Sequence, residues 1–208
     1  MKRELYCNSC GERHGVEVHD RINVGEDPEL KDRVKDGSLF VWECPHCGAS
    51  NLVPGQALYH DPDGKLMVWL LPEGAVSEAL EGQLAAAAAS LGDYVLRRVG
   101  DIGSLIEKVN IFDADLDDCA IEMCKYVSKL ELSEKGSGIM DLPFKFFRLD
   151  GADNDLEFSY PKDGRMHGIR IGFNVYEDCA GILARNPSVK PAPGFSKVDQ
   201  EWVNRFFR

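Results

Sequence analysis

From Gly15 to Val24 apolar and polar residues alternate, with Val16, Val18, Ile22 and Val24 on one side, the period of a half-buried strand. Asp27-Pro28 supplies an N-cap with proline at the first helical position and predicts a short helix through Lys35, with Gly37 just past its end. Ser38–Glu43 predicts a returning strand. Gln56–His60 and Lys65–Leu71 flank Asp61-Pro62-Asp63-Gly64, a stretch with hairpin-turn chemistry, and Pro72 marks a boundary.

Beyond Pro72 the period lengthens. Val76, Leu80, Leu84, Ala87 or Ala88, and Leu91 recur at three or four in an alanine-rich run, predicting a helix over about 74–91 with Gly92 as its C-terminal cap. Tyr94–Val99 reads as a short strand, and a two-turn helix follows at about 104–112. Leu116, Ala120, Met123, Val127 and Leu130 stripe a longer helix over about 116–131. From Leu142 the period returns to two, and strands are expected within about 142–178. These carry Phe144, Phe146 or Phe147 and Leu149, then Leu156–Tyr160, then Ile169, Ile171, Phe173 and Val175. Arg185–Gly194 is proline-rich and predicts a linker. Ser196 and Asp199 form a capping box for a C-terminal helix, 197–208, whose Val198, Trp202 and Phe206 stand four apart. Terminal helices usually pack locally, so self-docking is expected, with docking on a second copy across the extended linker as the alternative.

The expected fold class is therefore α+β, in two domains. Residues 1–72 form an N-terminal module, and residues 73–208 combine a helical middle with an antiparallel C-terminal sheet. The 208 residues are 44% hydrophobic and 28% charged, ordinary globular usage that excludes a disordered chain. Lys and Arg number 24 against 35 Asp and Glu, a net charge of −11. That balance disfavours a sequence-blind nucleic-acid binder, whose affinity rests on neutralising phosphates, and an anionic membrane surface alike. The most apolar run, Leu84–Leu91, is too short for a membrane span, and no apolar stretch follows the basic N-terminal residues as in a signal peptide. The expected location is the cytoplasm, where paired cysteines more often hold metal than form disulfides.

Four of the seven cysteines form two pairs, Cys7-Asn8-Ser9-Cys10-Gly11 and Cys44-Pro45-His46-Cys47-Gly48. Each is a zinc knuckle by spacing: two intervening residues let one tight turn aim both sulfurs at one ion. The following glycine accommodates a positive φ that frees backbone N–H groups for the thiolates. Together Cys7, Cys10, Cys44 and Cys47 predict one structural Zn²⁺ in a closed tetrahedron, with no open position for catalysis. The 33 residues between the pairs exceed the ~15–20 of a compact ribbon, and the predicted strand and helix account for the excess, giving a zinc-ribbon-like module with a strand–helix insert. Cys-Pro-His-Cys also occurs in disulfide oxidases, where it opens a helix that depresses the first thiol's pKa. Here Gly-Ala-Ser-Asn follows, which is poor helix, and a second pair is present. With four cysteines available, His14 and His46 are expected to face solvent.

These pairs, together with Asp27-Pro28-Glu29-Leu30-Lys31, Asp36-Gly37-Ser38-Leu39-Phe40 and Leu58-Tyr59-His60-Asp61-Pro62, resemble the CpXC family; so, further on, do Leu105–Val109 and Leu116-Asp117-Asp118. The resemblance implies a bacterial protein whose paired cysteines are its defining residues. It implies no assigned activity and no catalytic residue.

Other carboxylate groupings offer no better chemistry. Asp113, Asp115, Asp117 and Asp118 lack an EF-hand's glycine and glutamate and read as helix capping. Asp153, Asp155 and Glu157 read as turn and edge-strand positions. No phosphate loop, dinucleotide turn, His-Glu-x-x-His or nucleophile elbow occurs. The functional expectation is a zinc-stabilised cytoplasmic binding protein that recognises another protein or self-associates. The alternatives are a hydrolase-like enzyme with a cleft between the two modules and His60 and Asp61 as its only candidates, or nucleic-acid binding through the ribbon.

Overall fold

The computed structural model describes residues 1–72, 82, 86, 88, 90–134 and 142–206, so the helix expected at 74–91 lies almost wholly outside the described residues. The architecture is mixed α+β, with helices and several small sheets. Two compact units divide the chain, Met1–Ile106 and Glu107–Arg208.

In the first unit, β1 (Lys2–Tyr6) and β2 (Arg13–Glu17) form one antiparallel hairpin, and β4 (Val41–Glu43) and β5 (Ser50–Leu52) form another. A four-stranded sheet takes β3 (Arg21–Asn23), β6 (Ala57–Asp61), β7 (Leu66–Leu70) and β8 (Val95–Val99) in that order. The β6–β7 pair is antiparallel, while β3 beside β6 and β8 beside β7 are parallel. Because β8 pairs with β7, this unit runs past Pro72, where the sequence placed the boundary. Alternation buries Ala57, Tyr59 and Asp61 from β6 and Leu66, Val68 and Leu70 from β7.

The run Gly15–Val24 serves two sheets rather than one strand. β2 belongs to the first hairpin and β3 to the larger sheet, with a bend at Asp20, yet Val16, Val18, Ile22 and Val24 are all buried as their alternation predicts. Helix α1 (Glu29–Lys35) buries Leu30 and Val34 and ends before Gly37, whose φ of +79° is left-handed. Pro28 takes the cap position in place of Asp27, whose carbonyl accepts from the Leu30 N–H. The expected strand at Ser38–Glu43 begins only at Val41. Ser38–Phe40 is a 3₁₀ turn, which buries the adjacent Leu39 and Phe40 together as an alternating strand does not.

In the second unit, β9 (Lys145–Asp150), β10 (Asp155–Lys162) and β11 (Arg165–Ile171) make an antiparallel meander with β10 central. Its apolar face, including Phe146, Leu156 and Phe158, shares a core with Ala120, Ile121, Met123 and Cys124 of α3 (Asp118–Glu134) and Cys179 of α4 (Phe173–Arg185). Phe146, not Phe147, points inward. The strand expected to continue through Phe173 and Val175 stops at Ile171: Gly172 is the extended N-cap of α4. The chain ends in α5 (Gln200–Asn204), shorter than the expected 197–208 and capped by Asp199 itself, which accepts from the Trp202 N–H at 3.0 Å. Val198, Trp202 and Val203 pack against Cys119, with Tyr126, Leu183 and Val189 around them, so this helix docks on its own unit.

Between α3 and the last turns of α2 (Ile102–Asp113) lies a buried ionic cluster. Lys125 Nζ donates to Glu107 Oε1 at 2.9 Å and to Glu122 Oε1 at 2.8 Å. Lys108 Nζ stands 2.8 Å from Asp118 Oδ2 and 3.6 Å from Glu122 Oε1. Glu107 also accepts from the Phe146 N–H at 2.7 Å and pairs with the half-buried Lys145 at 3.5 Å. All five of Glu107, Lys108, Asp118, Glu122 and Lys125 are buried.

Candidate metal centre

The two cysteine pairs occupy the same turn twice. Residues 7–12 link β1 to β2 and residues 44–49 link β4 to β5, each with cysteine at its first and fourth positions and glycine at its fifth. In both, the first cysteine's N–H donates to the carbonyl of the sixth residue (Cys7 to Glu12 and Cys44 to Ala49, each 2.9 Å). The glycine N–H donates back to the first cysteine's carbonyl, at 2.9 Å for Gly11 and 2.8 Å for Gly48. Gly11 and Gly48 take φ of +77° and +71°, as their position after the second cysteine predicts.

This geometry brings together the four predicted ligands. Their Sγ atoms all lie within 4.8 Å of one another, with Cys7 and Cys47 at 3.6 Å and Cys10 and Cys44 at 3.7 Å. An ion bound tetrahedrally by sulfur at ~2.3 Å has ligand–ligand edges of ~3.8 Å, so the spacing fits such an ion closely. All four are free thiols. Cys7 and Cys44 are buried against Val16 and Trp42; Cys10 and Cys47 are exposed.

The thiols do not ionise alike. The Cys10 N–H foremost, helped by the Ser9 N–H and Asn51, outweighs desolvation and holds Cys7 down at about 6. At Cys10 the Glu12 N–H favours the thiolate, but desolvation and the crowding thiols of Cys47, Cys7 and Cys44 push it up to about 12. Four negative sulfurs cannot share this space without a cation among them, which is the electrostatic condition for a metal cluster.

Two side chains touch the buried thiols: Asn51, which the sequence did not single out, and His14, which was expected to face solvent. Asn51 Nδ2 donates to Cys7 Sγ at 3.6 Å, and His14 Nε2 lies 3.5 Å from Cys44 Sγ. His14 is half-buried rather than solvent-facing, its ring centroid 6.0 Å from that of Trp42; His46 is exposed as expected. One signal could have found both: each stands four residues after the second cysteine of a pair.

Of the other candidates, Asp117 and Asp118 stay together beside Cys119, with one ligand atom of each within 4.8 Å of the others; the rest disperse. His60 and Asp61 are consecutive on β6 and point to opposite sides. His60 Nε2 meets the Tyr94 hydroxyl at 3.2 Å, while buried Asp61 pairs with Lys31 at 2.8 Å and accepts from the Gly64 N–H at 2.9 Å. Asp117 Oδ1 accepts from the Cys119 and Ala120 N–H groups at 2.7 and 3.0 Å, the capping role expected of that stretch, whereas Asp118 is buried in its ion pair. Asp155 and Glu157 sit on the central strand β10 rather than an edge, and Glu157 pairs with Arg148 at 2.8 Å. Among the described residues, no helix is long and apolar enough to cross a membrane.

No curated protein and no solved structure matches the chain. A family model described as CpXC protein matches residues 5–125, more than half of the length, and its span takes in both knuckles, the four-stranded sheet and the first two turns of α3. On that match, with the doubled cysteine turn at its centre, the chain belongs to the CpXC family.

Proposed function

We propose that Cys7, Cys10, Cys44 and Cys47 hold one zinc ion per chain as a closed structural centre. In this reading the first unit is a zinc-ribbon-like binding module of a cytoplasmic protein. The observation that carries it is the pair of matched turns whose sulfurs already stand at tetrahedral spacing. Zinc bound there supplies cross-linking of the two hairpins and no activated water, because four protein ligands fill its coordination. Tyr6 and Leu52, 66% and 64% exposed, stand on the two knuckle hairpins and line a cleft of about 970 Å³ with Trp42, Val53 and Ile102. An apolar surface so placed suits contact with a protein, either a partner or a second copy. The separation of His60 from Asp61 removes the one pairing on which a hydrolase reading leaned.

Metal analysis of the purified chain tests the centre, with one zinc per chain expected. Metal binding of this kind supplies ~10–16 kcal/mol in zinc-finger peptides, so Cys44→Ser is expected to give metal-poor or insoluble protein. Full zinc and an unchanged melting temperature in that variant would overturn the ligand set, and iron in place of zinc would overturn the metal's identity. Hydroxamates are expected to leave the spectrum of the cobalt-substituted protein unchanged; a shift would reveal an open position. For the contact surface, light scattering of the wild type beside Tyr6→Ser and Leu52→Ser reads self-association directly.

A further inference from the structure

His14 and Asn51 occupy equivalent places in the two hairpins, each the second residue of the strand that leaves its knuckle, β2 and β5. Each reaches across to the other hairpin: His14 to Cys44, and Asn51 to Cys7. Asn51 does more. Its Oδ1 accepts from the Asn8 N–H at 2.8 Å, while its Nδ2 donates both to Cys7 Sγ and to its own turn's Ala49 carbonyl, the latter at 2.8 Å. The asymmetry is written in the sequence. Asn8 has an N–H to be held, whereas the matching second position of the other turn is Pro45, which has none. Asn51 is buried at 4% exposure, so these bonds form away from competing water.

We infer that Asn51 is a positioning residue for the metal. Its carboxamide holds the Cys7 thiolate and clamps the two knuckles at ligand distance, with His14 as a single-bond counterpart on Cys44. This rests on the metal reading above. A metal-bound thiolate can only accept, so both side chains act as N–H donors to sulfur, lowering its charge and resisting its departure from the ion. Both donors serve the buried sulfurs, whereas Cys10 and Cys47 meet, among the described side chains, only the other cysteines. Metal therefore leaves by way of the exposed Cys10–Cys47 edge, and Asn51 sets how long the remaining half of the site keeps hold.

The test is zinc release from the loaded full-length protein into excess EDTA, followed with a chromophoric zinc indicator. Cobalt-substituted samples report the sulfur-to-metal charge-transfer band. Outer contacts of this type are worth ~10–100-fold in metal affinity. Asn51→Ala and Asn51→Asp are both expected to release zinc at least ~10-fold faster and to shift the cobalt band, and His14→Ala to do so by a smaller factor. Asn51→Asp is the decisive variant, because it keeps the shape and the acceptor for the Asn8 N–H while a carboxylate oxygen replaces the Nδ2 that donates to Cys7 Sγ and to the Ala49 carbonyl. Wild-type release and an unmoved band in Asn51→Asp would overturn the inference while leaving the zinc centre intact, even if Asn51→Ala failed to fold. A wild-type chain that retains no metal would overturn the metal reading itself, and this inference with it.

Discussion

Three carboxylates and two ammonium groups are buried in the second unit, an excess of one negative charge that the half-buried Lys145, 3.5 Å from Glu107, offsets only from the rim. Glu122 absorbs it. Burial, followed by the repulsion of Glu107, raises its pKa despite Lys125 and Lys108, and its Oε2 has no hydrogen-bond partner among the described residues. Glu107 goes the other way, because Lys125, Lys145 and Lys108 and the Phe146 N–H together outweigh its burial. Neutralising Glu122 as Glu122→Gln keeps the acceptor for Lys125 and balances the cluster, so it is expected to change stability by no more than ~1 kcal/mol at pH 7. Lys125→Met instead leaves three buried carboxylates facing only Lys108 and the half-buried Lys145, at a cost of ~3–5 kcal/mol. A domain of about 100 residues has ~5–15 kcal/mol in total and loses ~4–8 °C per kcal/mol, so its melting temperature should fall by ~12 °C or more. Calorimetry of the full chain measures both variants. The pH dependence follows in sign. A raised folded-state value means stability is complete below the ordinary carboxylate range and is lost as pH rises through the raised value. Glu122→Gln should flatten that decline. Equal destabilisation by Glu122→Gln and Lys125→Met would refute the assignment of the excess charge.

At Asp61, burial opposes the charge, but Lys31 and the Gly64 N–H outweigh it and hold the carboxyl below its ordinary range. That contribution is present above the ordinary value and lost as pH falls through the folded one. Asp61→Asn is thus expected to cost ~1–3 kcal/mol at neutral pH and to soften the acid limb of a denaturation curve. Trp202→Ala empties a buried site on α5 and should cost ~3–5 kcal/mol by denaturant titration, with the oligomeric state unchanged in light scattering. The first unit has 10 basic against 17 acidic side chains, so anisotropy titrations with random-sequence DNA or RNA should show negligible binding at ~0.15 M salt. Micromolar affinity with a steep salt slope would contradict that expectation.

The candidate site was almost fully legible in the sequence, because knuckle chemistry is local: four cysteines and two glycines at fixed spacing specify the turn without help from distant residues. Asn51 escaped notice because its value lies in a neighbour forty-four positions away, Cys7, which no local pattern exposes. The misread element, α4, shows how two periods can coincide. Phe173 and Val175 extend the alternation of Ile169 and Ile171, yet Phe173, Tyr176, Ala180 and Leu183 recur at helical intervals, and Gly172 marks the change. The bend at Asp20 was hidden for a different reason. Both halves of that run bury the same side of the chain, so alternation stays in phase while the pairing partner changes. The charge cluster on α2 and α3 left no warning either, since a helix's polar positions look solvent-facing until a second charged helix is packed against them.

The pairing directions in the first unit carry a consequence for how fast it folds. Within the four-stranded sheet only the central hairpin β6–β7 closes over a short turn; β3 reaches β6 across the chain from Val24 to Gln56, and β8 reaches β7 across 71–94. Parallel neighbours of this kind must wait for long loops to close, at a cost that grows by ~0.6 kcal/mol per doubling of loop length, and such topologies fold slowly. The second knuckle lies inside the loop that joins β3 to β6, and the first lies just before it. Joining the two knuckles early would therefore draw the ends of that loop together before the sheet exists. If an ion joined the four cysteines while the chain was still unfolded, the native sheet would form sooner than if the ion arrived afterwards.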